Sequence, residues 1–413
     1  MKVIFVTQFA PRPVGHGGDH RAYQILHDLE KTVGEDNVVV ASIPLWRESL
    51  STHQPSSPVM VRRSLIDTAR SAGRKLILPR LAYRALRRLH AAAMPRTVRL
   101  LPHSGSVTKL FSNSGFSRYC EQLLGDIDKP AVCVIEHAGF GHLITSNARK
   151  GIPTISCIAN IESFDRAAPV SLDERKHIYL ASINFADEFR LLAQCDQRLF
   201  ISKVETALIG GLGLPSHYYP YIPVGEIKES AVRIRRERAQ GERTPGLFMM
   251  LGTARHQTTR ESLSWFIENV RRFGLPQAIR VVVGGARTDE LLPAGVSVPG
   301  VELRGWIEQQ ELDRLLMQVQ AVLLPQRAGF GALTRLPELA CAGVPAIVSR
   351  HPVYALDPPP GLHIVDDSWD NWCQAMELVS QSETFVSEQE YRDWEDKQAN
   401  TLRTVVEETL SML

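Results

Sequence analysis

No apolar run in the sequence approaches the roughly 18 residues that span a bilayer, so no membrane-crossing helix is expected. The six cysteines (Cys120, Cys133, Cys157, Cys195, Cys341 and Cys373) show no paired spacing. That excludes a disulfide framework and a thiolate metal site, and points to buried reduced thiols in a cytosolic protein. The chain runs directly into an apolar stretch, and no signal peptide is expected. Excess charge is missing too: the net value is +2, which names no partner. What remains is ordinary globular composition, 44% apolar and 22% charged, in 413 residues, enough for two domains with separate cores.

One local pattern occurs twice. Residues 2–7 form a continuous apolar run, as in an interior parallel strand. Pro11, Pro13, Gly15, Gly17 and Gly18 follow as a loop, and Ala22, Ile25, Leu26 and Leu29 then recur at helical spacing. Further strands are expected at 38–43, 131–135, 153–158 and 197–202. Residues 218–245, dense in proline and charge, read as a junction. The pattern restarts at 247–251 and continues through 279–285 and 301–307. Alternating strands and helices predict an α/β protein of two doubly wound, Rossmann-like parallel-sheet domains. We place them at 1–215 and 216–390. A terminal helix, 391–413, is expected to pack back on the first domain.

The second copy of the pattern is the richer one. The apolar run 321–325 leads into Gly329-Phe330-Gly331, then Thr334 to Gly343, then the apolar run 346–348. Thr334 suits an N-cap, and Pro337 falls in the first turn, where a missing N–H costs nothing. Leu336, Leu339 and Ala340 form the buried side, and Gly343 ends the helix. Unpaired amides leaving a glycine loop suit a phosphate. Glu338, one turn in, would stand beside such an anion, in reach of sugar hydroxyls.

The stretch GFG…LPELACAGVPAIVS resembles the donor segment of family 4 glycosyltransferases of the GT-B fold, retaining enzymes that use nucleotide sugars. The resemblance implies two such domains facing a cleft. It also implies a nucleotide diphosphate sugar as substrate, with no further cofactor and no metal. That family has two glutamates separated by seven residues, one holding the transferred sugar and one the ribose. Glu338 matches the second; the first falls on Phe330, or on Ala328 when the loop is aligned by its GFG. By the same resemblance Gly329, Phe330, Gly331, Leu333 and Thr334 cradle the phosphates, and Trp306 and Ile307 lie in the segment whose backbone holds the nucleobase. Gly17 and Gly18 approach the donor from across the cleft. The family's usual lysine is absent, so Arg255, Arg327 or Arg335 would hold the leaving diphosphate, with Arg260 nearby.

Glu136 and His137 follow the strand at 131–135, at the strand end where open parallel sheets bind ligands. His137 sits where the family often carries a histidine near the transferred sugar, and Glu136 would face the cleft beside it. Asn160 and Glu162 are acceptor-side polar groups by resemblance. Between residues 61 and 110, twelve Arg and Lys residues stand against one acid, Asp67. A solvated helical face would explain this. So would contact with an anionic membrane or a lipid-linked acceptor, the reading favoured here, placing the protein at the inner membrane face. Nucleic acid is not expected, because Tyr83 alone offers a stacking ring. The expected activity is sugar transfer to the hydroxyl of a glycan or lipid-linked acceptor. The alternatives are a silent GT-B subunit and a nucleotide-sugar epimerase.

Overall fold

The computed structural model describes residues 2–44, 115–126, 131–165, 175–382, 385–398 and 400–412. The basic stretch 61–110, and with it the proposed membrane contact, lies outside them.

Two six-stranded parallel sheets organise these residues. The first contains β1 (Lys2–Thr7), β2 (Val38–Ser42), β3 (Ala131–Ile135), β4 (Thr154–Ile158), β5 (Gln197–Phe200) and β6 (His217–Tyr218). Its spatial order is β2-β1-β3-β4-β5-β6, so the order reverses between β1 and β3. The second contains β7 (Leu247–Leu251), β8 (Arg280–Gly284), β9 (Val301–Gly305), β10 (Ala321–Leu324), β11 (Ala346–Ser349) and β12 (Leu362–Val365). Its order, β12-β11-β10-β7-β8-β9, reverses between β7 and β10. Doubly wound sheets bind ligands in the crevice at such a reversal. The two loops that matter most in the second half therefore follow β7 and β10.

The strands are apolar on both faces because helices cover both. Val3 and Phe5 pack on one side with Leu402, Val405 and Val406, while Ile4 and Val6 pack on the other with Phe116 and Phe140. In the second sheet, Phe266, Trp369 and Trp372 fill one side, with Trp265 edge-on to both tryptophans. Such aromatic pairs add about 0.5–1.5 kcal/mol each beyond burial.

The junction differs from its sequence reading. β6 adds a strand to the first sheet after 197–202, and the charged stretch that looked like a hinge is the helix Gly225–Gln240. Its Arg235 and Arg238 are buried. Arg235 donates to the carbonyls of Ala340 and Cys341, and Arg238 to those of Leu316 and Val319. The charges close the ends of neighbouring helices, whose last carbonyls lack partners within their own helix. The segment expected as one terminal helix, 391–413, is shared between two helices. Tyr391 and Trp394, on helix Glu388–Glu395, pack in the second half. Leu402, Val405 and Val406, on helix Thr401–Ser411, pack against the first sheet.

Candidate active site

The glycine loop after β10 leads into the helix Arg335–Cys341, seven residues long. That is shorter than its apolar pattern suggested, and Thr334 does not cap it: the residue has helical dihedrals and its side chain makes no cap hydrogen bond. Gly17 of the first half packs there instead, so closely that an added Cβ would lie 2.5 Å from Thr334 Oγ1. Gly18 faces Phe9 of its own loop. Of the two first-half glycines, Gly17 alone meets the glycine loop.

Gly329 and Gly331 have φ of +121° and +76°, a region that side chains rarely enter. A Cβ on Gly331 would also lie 2.6 Å from the Ala159 carbonyl oxygen and 3.2 Å from Asn160 Cβ. Glycine is required here because two backbones, one from each half, approach this closely.

The loop amides have acidic neighbours from the first half. Phe330 N donates to Asp165 Oδ1 at 3.4 Å, and the other Asp165 oxygen lies 3.8 Å from His256 Nε2, in the loop after β7. Contact with Asp165 raises the His256 pKa. Glu205 Oε1 accepts from Ile161 N at 2.7 Å. Burial pushes the Glu205 carboxyl up to about 8, opposed by the amides of Ile161 and Gly331. Ser202 Oγ accepts from Glu205 N as an N-cap does, but the Glu205 carboxyl turns to Ile161. Phe330 stacks on Phe164 at 5.3 Å, and Phe164 on Phe185 at 4.7 Å. Phe330 is 39% exposed.

Glu338 is 9% exposed and already engaged. Its Oε1 is 2.6 Å from His20 Nδ1 and accepts from Tyr221 OH at 2.9 Å, while Oε2 is 3.2 Å from Arg335 Nη1. Burial alone would raise its pKa; the charges of His20 and Arg335 outweigh burial and hold it at about 2. A carboxylate expected to stand open to sugar hydroxyls is instead the tie between first-half helix, junction and second half.

The other arginines diverge. Arg327 lies 3.5 Å from Asp367 and 5.4 Å from the Trp265 ring centre, turned to its own domain. Arg260 Nε donates to Ala254 O. Arg255 is exposed in the loop after β7. Trp306 is 65% exposed, with Nε1 on Glu308, and the Ile307 side chain fills the space beside Gly284 in the core.

Glu136, expected to face the cleft, is buried at 1% exposure at the reversal between β1 and β3. It accepts from Thr7 Oγ1, and its Oε1 has no hydrogen-bond partner among the described residues. Burial pushes it up to about 8, so it is sealed in the neutral form. His137 is buried too. Its Nδ1 accepts from Gly139 N at 2.8 Å, which leaves the proton on Nε2, 3.0 Å from Glu162 Oε1. Glu162 N and Ser163 N in turn donate to buried Glu188, at 3.0 and 3.1 Å. His137 and Glu162 thus form one supported pair. Asn160 approaches Gly331 rather than standing apart on an acceptor face.

Sequence reasoning missed His20, Tyr221 and Asp165, and the contact of the Glu205 carboxyl with Ile161, because each partner lies far off along the chain. Among the described residues no group of His, Cys, Asp and Glu could hold a metal ion, and no helix is long and apolar enough to cross a membrane.

No protein-family model and no curated protein matches the sequence. Solved structures do match in shape. A sucrose-phosphate synthase of Thermosynechococcus elongatus aligns with TM-score 0.60 at 12% identity, over 100% of this chain and 99% of that one. HepE of Anabaena in complex with UDP and glucose aligns at 0.55 and 11%, over 100% of both chains. An α,α-trehalose-phosphate synthase (UDP-forming) of Burkholderia vietnamiensis aligns at 0.56 and 13%, again over 100% of both. With two doubly wound parallel sheets and end-to-end agreement with these structures, the chain has the GT-B fold.

Proposed function

We propose that this protein is a retaining, metal-independent glycosyltransferase that moves a sugar from a nucleotide diphosphate donor to an acceptor hydroxyl, on a glycan or lipid-linked sugar. One observation carries the reading. At the strand reversal of the second sheet, a glycine-rich loop turns its Phe330 amide to a carboxylate oxygen, with His256 on that carboxylate's other oxygen. An amide and an imidazole converging on one anion from the two switch-point loops form a suitable receptor for a diphosphate. In this role Gly331, Leu333 and Thr334 line the phosphates, while Glu338 holds His20, Tyr221 and Arg335 in place. Arg335 and Arg255 balance the charge that develops on the leaving group; Arg335 opens the helix that follows the glycine loop, whereas Arg327 is turned to Asp367 and Trp265 of its own domain. His137, fixed by Glu162, presents the first half to the sugar. UDP-sugars are the first donors to test, since two of the fold neighbours carry UDP in their descriptions.

A specific observation also favours the silent subunit: Phe330, stacked on Phe164, cannot accept a hydrogen bond from a sugar. The readings separate on a panel of UDP-, GDP-, dTDP- and ADP-sugars followed by calorimetry and product analysis. The transferase reading requires saturable binding of at least one donor, with slow release of free sugar in water. Binding without turnover supports the silent subunit, and conversion to an epimer supports the epimerase.

A further inference from the structure

The same contacts that support an anion site also obstruct it. Phe330 N carries Asp165 Oδ1, and the Gly331 amide lies beside the Glu205 carboxyl. Both acids belong to the first half. Asp165 lies in the segment after β4, and Glu205, on the helix Lys203–Gly211 after β5, supports that segment. Glu205 holds its Ile161 amide, Glu188 holds its Glu162 and Ser163 amides, and the stacked rings of Phe185, Phe164 and Phe330 bind it to the glycine loop.

We propose that Asp165 is an internal competitor for the donor diphosphate, a carboxylate that occupies the glycine-loop amide and the His256 contact and must be displaced before phosphate can take them. This deepens the donor-site reading and rests on it for the identity of the ligand. The charge arithmetic supports Asp165 as the active element of the pair. Glu205 is buried and pushed up to about 8, so near pH 7 it carries mostly a proton and repels a phosphate little. Asp165 is accessible, with 16% of its side chain exposed. A dianionic or trianionic phosphate competes with the carboxylate for the one amide and the one imidazole, because like charges a few ångströms apart repel, and more strongly in a cleft than in bulk water. Donor binding is therefore coupled to withdrawal of the 159–165 segment. Because Glu162 of that segment also holds His137, withdrawal would reposition the histidine in the same movement.

The probe is inorganic pyrophosphate, titrated calorimetrically into the full-length wild type and Asp165→Asn. Asparagine keeps the side chain's size and its acceptor oxygen and removes the charge. The expected result is about tenfold tighter pyrophosphate binding by the variant. Equal or weaker affinity in the variant, or no pyrophosphate binding by either protein, overturns the proposal. Phe164→Ala, which loosens the stack without touching a charge, should shift affinity the same way, and it serves if the asparagine variant does not fold. Nucleotide sugars are then titrated into the same proteins. A gain for pyrophosphate with no nucleotide sugar bound would refute the donor reading and leave the competitor standing.

Discussion

The two glycine loops follow the same local rule and end differently. After β1, the loop feeds the 17-residue helix Gly17–Val33, whose start is closed by its own side chains. His16 Nδ1 accepts from Gly18 N, and Asp19 accepts from His16 N and Ala10 N, each at 3.1 Å. After β10, the loop feeds a seven-residue helix with no side-chain cap, and its amides turn to carboxyls of the other half. Local capping makes the first loop self-sufficient. Its absence leaves the amides of the second loop to partners from outside their own segment, which a ligand site also needs.

The sharpest test of that contrast is Glu338→Ala. It would leave His20, Tyr221 and Arg335 without their shared acceptor in a buried place. Breaking a buried pair costs about 3–5 kcal/mol, to be read by urea unfolding, and nucleotide affinity should vanish while far-UV circular dichroism stays native. A variant that keeps both stability and nucleotide affinity would remove Glu338 from the centre of the molecule. The wild type should also lose stability in acid. A carboxylate held at about 2 contributes above its ordinary value of 4.5, and that contribution disappears as pH falls from there through 2.

Beneath the first loop the sign is reversed. Glu136 has its folded pKa pushed up to about 8, so its neutral burial is least costly below 4.5, and stability declines as pH rises toward 8. Thermal melts of Glu136→Gln between pH 5 and 9 should show a shallower decline than the wild type. Equal slopes would mean the acid is not sealed as described. The smallest effect is expected at the self-capped loop. His16→Ala should cost about 1 kcal/mol, the usual worth of an N-cap, with nucleotide affinity changed little; a large affinity loss would erase the distinction between the loops.

Much of the candidate site was legible as placement rather than as contact. The loop at Gly329–Gly331, the buried side of Leu336, Leu339 and Ala340, and His137 after β3 were all readable from local pattern. Glu136 was not: adjacency to a strand end says where a residue sits, while only packing says whether it opens to the cleft or closes against Thr7. Two arginines of the junction were illegible for a related reason. Arg235 and Arg238 look like surface charge in a linear string, yet each ends on carbonyls of another helix.

What the sequence determined by itself is the alternation of apolar strands, glycine turns and amphipathic helices, because those depend on neighbours within a few residues. Tertiary structure decided the partners of Glu338, Glu205 and Phe330. These partners are distant along the chain: apposition of the two sheets brings His20 to Glu338 and Phe164 to Phe330, and packing within the first half brings Ile161 to Glu205.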